Sequence, residues 1–256
     1  MIKEWLQSKT WKATPEAKSS GYLNQLIALN ARRQRLKDLW KDHEKYCKQV
    51  IHEEILQTKN KHSVVVLGSG LLHEIPIISL INAFKEVYLV DIVHGPKTFK
   101  MGKQVNILNR DVTGFWEIIK TQDKSKWLSL LEKAAPPWPQ ADLVISANLI
   151  SQIPILFVEK LISEGFSEQE QEEFCSMLLK NHIRHLQQNS GRSLLIGDNG
   201  REFSDSVGKF IRKEPSLVGV SMGKPFFNWT WNLAPIPEFS DTETMKLLMG
   251  AWRIKE

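Results

Sequence analysis

Residues 62–91, HSVVVLGSGLLHEIPIISLINAFKEVYLVD, decide the fold. Val64, Val65, Val66 and Leu67 form a continuous apolar run rich in β-branched side chains. Such a run suits a strand covered on both faces, as in a parallel sheet. It ends on Gly68-Ser69-Gly70, where missing side chains permit a tight turn and a close backbone approach. A helical pattern over about 72–84 follows, then a strand over 86–90 that delivers Asp91 at its end. Strand, glycine turn, helix, strand and terminal acid form the first half of a doubly wound nucleotide-binding sheet, whose carboxylate accepts from ribose hydroxyls. Asp91 follows Gly68 by 23 positions, close to the interval of about 20 expected of that unit.

Working outward, no strand signal precedes Val64, so 1–60 reads as a helical N-terminal extension and 61–256 as the α/β domain. Residues 1 to about 18 are polar, with Trp5 and Trp11 as anchors. Leu23, Leu26, Ile27, Leu36 and Leu39 then recur at helical spacing, as do Tyr46, Val50, Ile51 and Ile55 in a second helix over about 43–56. These helices are expected to cover part of the cleft as a lid. Arg32-Arg33-Gln34-Arg35 reads as a solvated helix face, with phosphate binding as the alternative.

Beyond Asp91, strands are expected over 105–108, 141–147 and 193–197, separated by helices over 113–135, 155–162 and 168–188. Ser167 and Glu170 form a capping box for the last helix. The remainder is β-rich: SLVGVS (216–221), FFNWTWNLAP (226–235) and KLLMGAWRIK (246–255), any two of which can make a terminal hairpin. Phe227, Trp229, Trp231 and Leu233 alternate with polar residues, so one face of that strand is buried. The expected class is α/β: a doubly wound, mostly parallel sheet with a C-terminal antiparallel β-hairpin.

The chain has 256 residues, 42% apolar and 25% charged, enough for one substantial core. No apolar run reaches the roughly 20 residues of a membrane helix, and the N-terminus lacks a secretory h-region. A cytoplasmic protein without a membrane partner is expected. A net charge of +5 admits nucleic acid, but no basic block with interleaved aromatics favours it. Cys47 and Cys175 match no metal spacing and suggest no disulfide framework.

Five strand–helix units followed by a β-hairpin resemble a class I S-adenosylmethionine-dependent methyltransferase over roughly residues 60–256. The resemblance implies S-adenosylmethionine as cofactor, with Gly68, Ser69 and Gly70 against its methionine part and Asp91 on the ribose. It implies Asp111 at the adenine amino group and Asn148 bordering cofactor and substrate. Two positions depart from the family: Leu67 replaces the acid that often precedes the first glycine, and Leu72 replaces the third glycine. Each residue also has a plain reading: Gly68 and Gly70 as a simple turn, Asp91 as a loop acid, Asp111 as a helix cap. A nicotinamide dinucleotide, and with it an oxidoreductase, is the rival ligand; it wants a glycine at 73, where His73 stands.

Methyl transfer asks mainly for positioning, so no catalytic residue is assigned; His73, Glu74 and His94 are the candidates for a base. Ala147-Asn148-Leu149-Ile150 lacks the Asn/Asp-Pro-Pro-aromatic motif of amino-group methylation in this family. Cys47 and Cys175 fall on helices away from the strand ends, where a nucleophile for pyrimidine carbon would be needed, and are expected to be buried. The expected activity is methylation of a small molecule at oxygen or nitrogen, against a non-catalytic methyltransferase-like binding protein.

Overall fold

The computed structural model describes residues 7–256. Trp5 lies outside the described residues; Trp11 packs on a small cluster of Ala17, Leu23, Ile27 and Val93. After a helical stretch over residues 7–10 come α1 (Pro15–Ser19), α2 (Tyr22–Arg35) and α3 (Lys37–Gln57).

Five parallel strands follow: β1 (Ser63–Leu67), β2 (Glu86–Asp91), β3 (Val105–Asn109), β4 (Leu143–Ala147) and β5 (Arg192–Asp205). Between them lie α4 (Ile77–Ala83), α5 (Trp116–Thr121), α6 (Trp127–Lys133), α7 (Ile155–Ser163) and α8 (Glu168–Gln188). Then come β6 (Phe210–Pro215), β7 (Phe227–Ala234) and β8 (Glu243–Lys255). The sheet order is β3-β2-β1-β4-β5-β8-β7, with β6 paired to β5. Chain order runs outward in both directions from β1 and β4, so their connections leave on opposite faces. A crevice forms at the C-terminal ends of these two strands, the usual ligand position in such sheets.

Both faces are covered, which is why β1 and β4 are buried at every residue. One face packs Trp40, Cys47, Val50, Ile51 and Ile55 of α3 against Val64, Val66, Ile145 and Ile196. The other packs α7 and α8, through Phe157, Leu161, Phe174 and Leu178, against Val65, Leu67, Val144 and Leu195. Helix α3 is also tied to the sheet by charge. Glu54 is 1% exposed and accepts from Arg192 at 2.9 Å and from Arg253 at 2.6 Å. The capping box at Ser167 and Glu170 forms as expected, and Trp229 and Trp231 are buried as the alternation requires.

Three expectations change. The helix expected over 72–84 begins only at Ile77. Leu72 takes a left-handed φ of 61°, which breaks the helical path, and Pro76 is tolerated at a helix start but not inside one. The fifth strand runs on to Asp205 and folds back as β6, an element without a clear period in the sequence. The terminal hairpin is β7 with β8; residues 216–221 form bends and turns instead of a strand.

Candidate functional site

The turn after β1 is held by the loop that follows β2. Gly68 N–H donates to Val90 O at 3.0 Å and Gly95 N–H to Gly70 O at 3.0 Å. Gly70 N–H donates to Asp91 Oδ2 at 2.8 Å, and Val93 N–H to Oδ1 at 3.3 Å. Burial pushes the Asp91 carboxyl above its ordinary range, against the pull of His94 and the neighbouring amides. His94 is itself pushed down by burial. Its Nε2 lies 3.3 Å from Leu108 O and its Nδ1 3.2 Å from Ser69 Oγ. A carbonyl only accepts, so Nε2 carries the ring proton and the Ser69 hydroxyl donates to Nδ1. A Cβ on Gly68, whose φ is 73°, would stand 3.1 Å from both Ala147 O and Leu149 Cβ. Glycine there lets the turn lie directly on the end of β4.

Asp111 follows β3, and Arg110 N–H donates to Asp91 O at 2.9 Å, so the two acids are neighbours. The Asp111 carboxylate accepts from the amides of Thr113, Phe115 and Trp116, each at 3.0 Å. Its structural work is to close the turn into α5, the plain alternative the sequence offered. Tyr22 of α2 lies beside both acids: burial, then Asp111, then Asp91 push its phenol above the usual range. Its ring meets Trp116 edge-on, centroids 6.1 Å apart. One turn further along α2, Leu26 Cδ1 lies 3.6 Å from where a Cβ on Gly70 would stand. Helix α2 thus fills the ground between the glycine turn, Asp91 and Asp111.

These residues fit an adenosine in that ground. Each Asp91 oxygen keeps a lone pair beyond its backbone bond, and the buried Trp116 Nε1–H has no partner. Gly70 exposes backbone in place of a side chain. Tyr22 and Leu26 of α2 occupy that ground.

Asn148 belongs to the other side of the crevice. Its φ of 53°, a conformation Asn tolerates better than most residues, turns its side chain towards α3. There its amide lies 3.1 Å from His43 Nε2 and 3.7 Å from Cys47 Sγ. Burial pushes His43 down to about 3, so the ring is neutral with one proton. Trp229 Nε1–H donates to His43 Nδ1 at 3.1 Å, which leaves the proton on Nε2. Nε2–H needs an acceptor, and the Asn148 amide at 3.1 Å lies nearer than Cys47 Sγ at 3.7 Å, so the end facing the ring is assigned as the oxygen, the two amide ends being alike in shape. The NH2 end is then the one without a partner. The His43 ring stacks on Trp231, centroids 3.7 Å apart and planes 5° from parallel.

Cys47 was expected away from the strand ends; a 21-residue helix laid across the sheet brings it to the end of β4. It is buried, as is Cys175, and its thiol is held protonated by burial first and by Glu74 next. Glu74, in the loop after the glycine turn, is pushed up to about 7 by burial, with Glu44, Arg33 and Lys48 nearby. His73 is lowered to about 4, mainly by burial. The Arg32–Arg35 cluster is spent on ion pairs: Arg33 with Glu44 at 2.6 Å, Arg35 with Glu238 at 2.5 Å and Arg32 with Glu238 at 3.5 Å. Among the described residues no group of three or more His, Cys, Asp or Glu could hold a metal ion. No helix there is long and apolar enough to cross a membrane.

Gly68, Ser69, Gly70 and Asp91 therefore form one hydrogen-bonded unit, with Asp111 on one flank and Asn148 on the other. Tyr22, Leu26, His43, Trp116 and Asp198 were not singled out from the sequence. Tyr22 and Leu26 carry no sign there beyond helical spacing, and His43 looks like any polar position of an amphipathic helix. The chain is thus a doubly wound α/β protein in which an acid at the end of β2 is hydrogen-bonded to the glycine turn after β1.

No family model matches the chain, and no curated protein does. Among solved structures it is similar to a Burkholderia thailandensis 1,6-didemethyltoxoflavin-N1-methyltransferase bound to 1,6-didemethyltoxoflavin and S-adenosylhomocysteine. The identity is 12%, covering 93% of this chain and 91% of that one, with a TM-score of 0.40. It is also similar to a SAM-dependent methyltransferase from Leishmania major at 12% identity, covering 97% and 82%, with a TM-score of 0.38. Both likenesses are remote.

Proposed function

We propose that the chain is an S-adenosylmethionine-dependent methyltransferase acting on a small molecule at oxygen or nitrogen. The observation that carries this reading is the Gly70 N–H bond to Asp91 at the switch point of the sheet. It puts a bare backbone turn and a desolvated carboxylate side by side where an adenosine would lie. The terminal β7–β8 hairpin agrees with the order the resemblance implies. A nicotinamide dinucleotide suits the site less well. Its pyrophosphate needs a helix N-terminus directly behind the glycine turn, whereas α4 begins at Ile77, seven residues beyond Gly70.

On this reading Asp91 holds the ribose, Gly68–Gly70 give the methionine end close approach, and Asp111 and Trp116 flank the adenine. The cofactor supplies an electrophilic methyl group, so the chain's task is orientation and the exclusion of water. Helix α2 performs the exclusion as a lid: it rests over Gly70 and between the two acids, and must shift to admit the cofactor. Glu74, with its carboxyl near neutrality, is suited to accept a proton from the methyl acceptor. The closed position of α2 also favours a second reading, a ligand-binding protein without turnover.

Calorimetry with S-adenosylmethionine, S-adenosylhomocysteine and NAD tests the proposal. Binding of the first two alone, abolished by Asp91→Ala, is the expected result. Binding of NAD alone, or of none, overturns it.

A further inference from the structure

Beyond the cofactor ground, three buried polar groups on one face of the sheet lack partners. Asp198 is 4% exposed; its Oδ1 accepts from Ser151 Oγ at 2.5 Å, and its Oδ2 accepts from nothing. Trp231 is 6% exposed, with an unpartnered Nε1–H. The amide of Asn148 has one free end, its NH2 by the proton count at His43. Protein interiors rarely leave such groups unpaired.

The backbone places all three on one face, with Trp231 two residues along β7 from the position level with Asp198. Asn148 N–H donates to Ile196 O at 2.9 Å, so Asn148 and Asp198 leave adjacent strands almost level. Asp198 pairs with Met249, which pairs in turn with Trp229, so all three residues share one face. That face carries Ile196, Met249, Trp229 and Trp231, and the left-handed turn at Asn148 swings its amide onto the same side. Trp229 holds His43, which stacks on Trp231 and bonds Asn148.

We propose that Asn148, Asp198 and Trp231 form the methyl-acceptor site, built for a flat ring or amide that presents an N–H beside a carbonyl or ring nitrogen. The word acceptor rests on the methyltransferase reading; the binding does not. The carboxylate oxygen takes the ligand's N–H, and the Asn148 NH2 and Trp231 Nε1–H give to its acceptor atoms. Two side chains from neighbouring strands, about 4.8 Å apart, match a two-atom donor–acceptor edge better than a single hydroxyl, which offers both roles from one atom. The His43 and Trp231 rings, stacked on each other, wall the site with their edges.

The test uses the full chain saturated with S-adenosylhomocysteine and ligand-observed saturation-transfer NMR. The probes are uracil, xanthine and 2-quinolone, their N-methyl counterparts, and matched aromatic alcohols. The N–H compounds are expected to bind at least tenfold tighter than their counterparts. Asp198→Asn keeps an acceptor for Ser151 but presents a donor at the free position. It should remove that preference and favour ring nitrogens without hydrogen, while affinity for S-adenosylhomocysteine stays within twofold. Equal binding of the alcohols, an unchanged preference in Asp198→Asn, or no binding by any probe overturns the proposal. Failure of the parent reading looks different: calorimetry then shows no S-adenosylhomocysteine binding, while the N–H compounds still bind to the chain alone.

Discussion

Shortening Leu26 should make the protein bind S-adenosylhomocysteine more tightly. Leu26→Ala removes three carbons; at about 0.8 kcal/mol for each fully buried carbon, halved for a half-buried side chain, closure weakens by roughly 1.2 kcal/mol. If the closed form of α2 dominates, apparent affinity scales with the open fraction. With tenfold per 1.4 kcal/mol, the gain is about sevenfold at most. Helix α2 remains anchored through Leu23 and Ile27, and through Arg33 on Glu44, so the variant should stay folded. Calorimetry gives the dissociation constant, and amide exchange over residues 22–35 reports the opening directly. A weaker complex together with faster exchange refutes the gate, because Leu26 would then be part of the wall that holds the cofactor.

Asp91→Asn should abolish cofactor binding without lowering stability, because burial outweighs the Gly70 and Val93 amides in setting this carboxyl above its ordinary range, and removing the charge relieves that desolvation; calorimetry and urea titration check the two halves. Glu54→Ala strands Arg192 and Arg253 beneath α3 and should cost about 3–5 kcal/mol, read from the same titration. His43 and His182 are both pushed down to about 3 by burial, so the unfolded chain takes up their protons first as pH falls. Their contribution is whole above about pH 6.5 and is lost towards pH 3, at up to about 1.4 kcal/mol per pH unit for each. Glu74, raised to about 7, acts oppositely and adds stability as pH falls from 7 towards its unfolded value. Unfolding midpoints at successive pH values should therefore show a shallower acid slope in His182→Gln and a steeper one in Glu74→Gln.

The parallel half of the sheet was readable because strands buried on both faces leave unbroken apolar runs, as in Val64–Leu67 and Leu143–Ala147. The β7 alternation was readable because one of its faces meets solvent. Helix α4 was misplaced because the apolar spacing over 72–84 is helical whether or not the backbone follows it. The extension of β5 into β6 was missed because β6 is largely exposed on both faces and so carries no period. Within the candidate site, residues close to the turn in sequence were accessible: Gly68, Ser69, Gly70 and Asp91. Tyr22 reaches the acids, and His43 reaches Asn148, only through folding across 69 or more positions. Nothing local announces such meetings. Asp111 shows the limit from the other side: a cap and a ligand-binding acid look alike until the amides around them are counted.

Leu72 occupies the place of the third glycine and adopts the left-handed backbone glycine would have taken, at φ 61°. An L-residue accepts that geometry at a cost of about 1–2 kcal/mol, and here the side chain recovers some of it by packing on the α3 face of the sheet. A motif spelled in letters records the cheapest occupant of a shape. Chains that keep the shape with a dearer occupant will slip past any pattern written that way, and are better sought by their torsion angles.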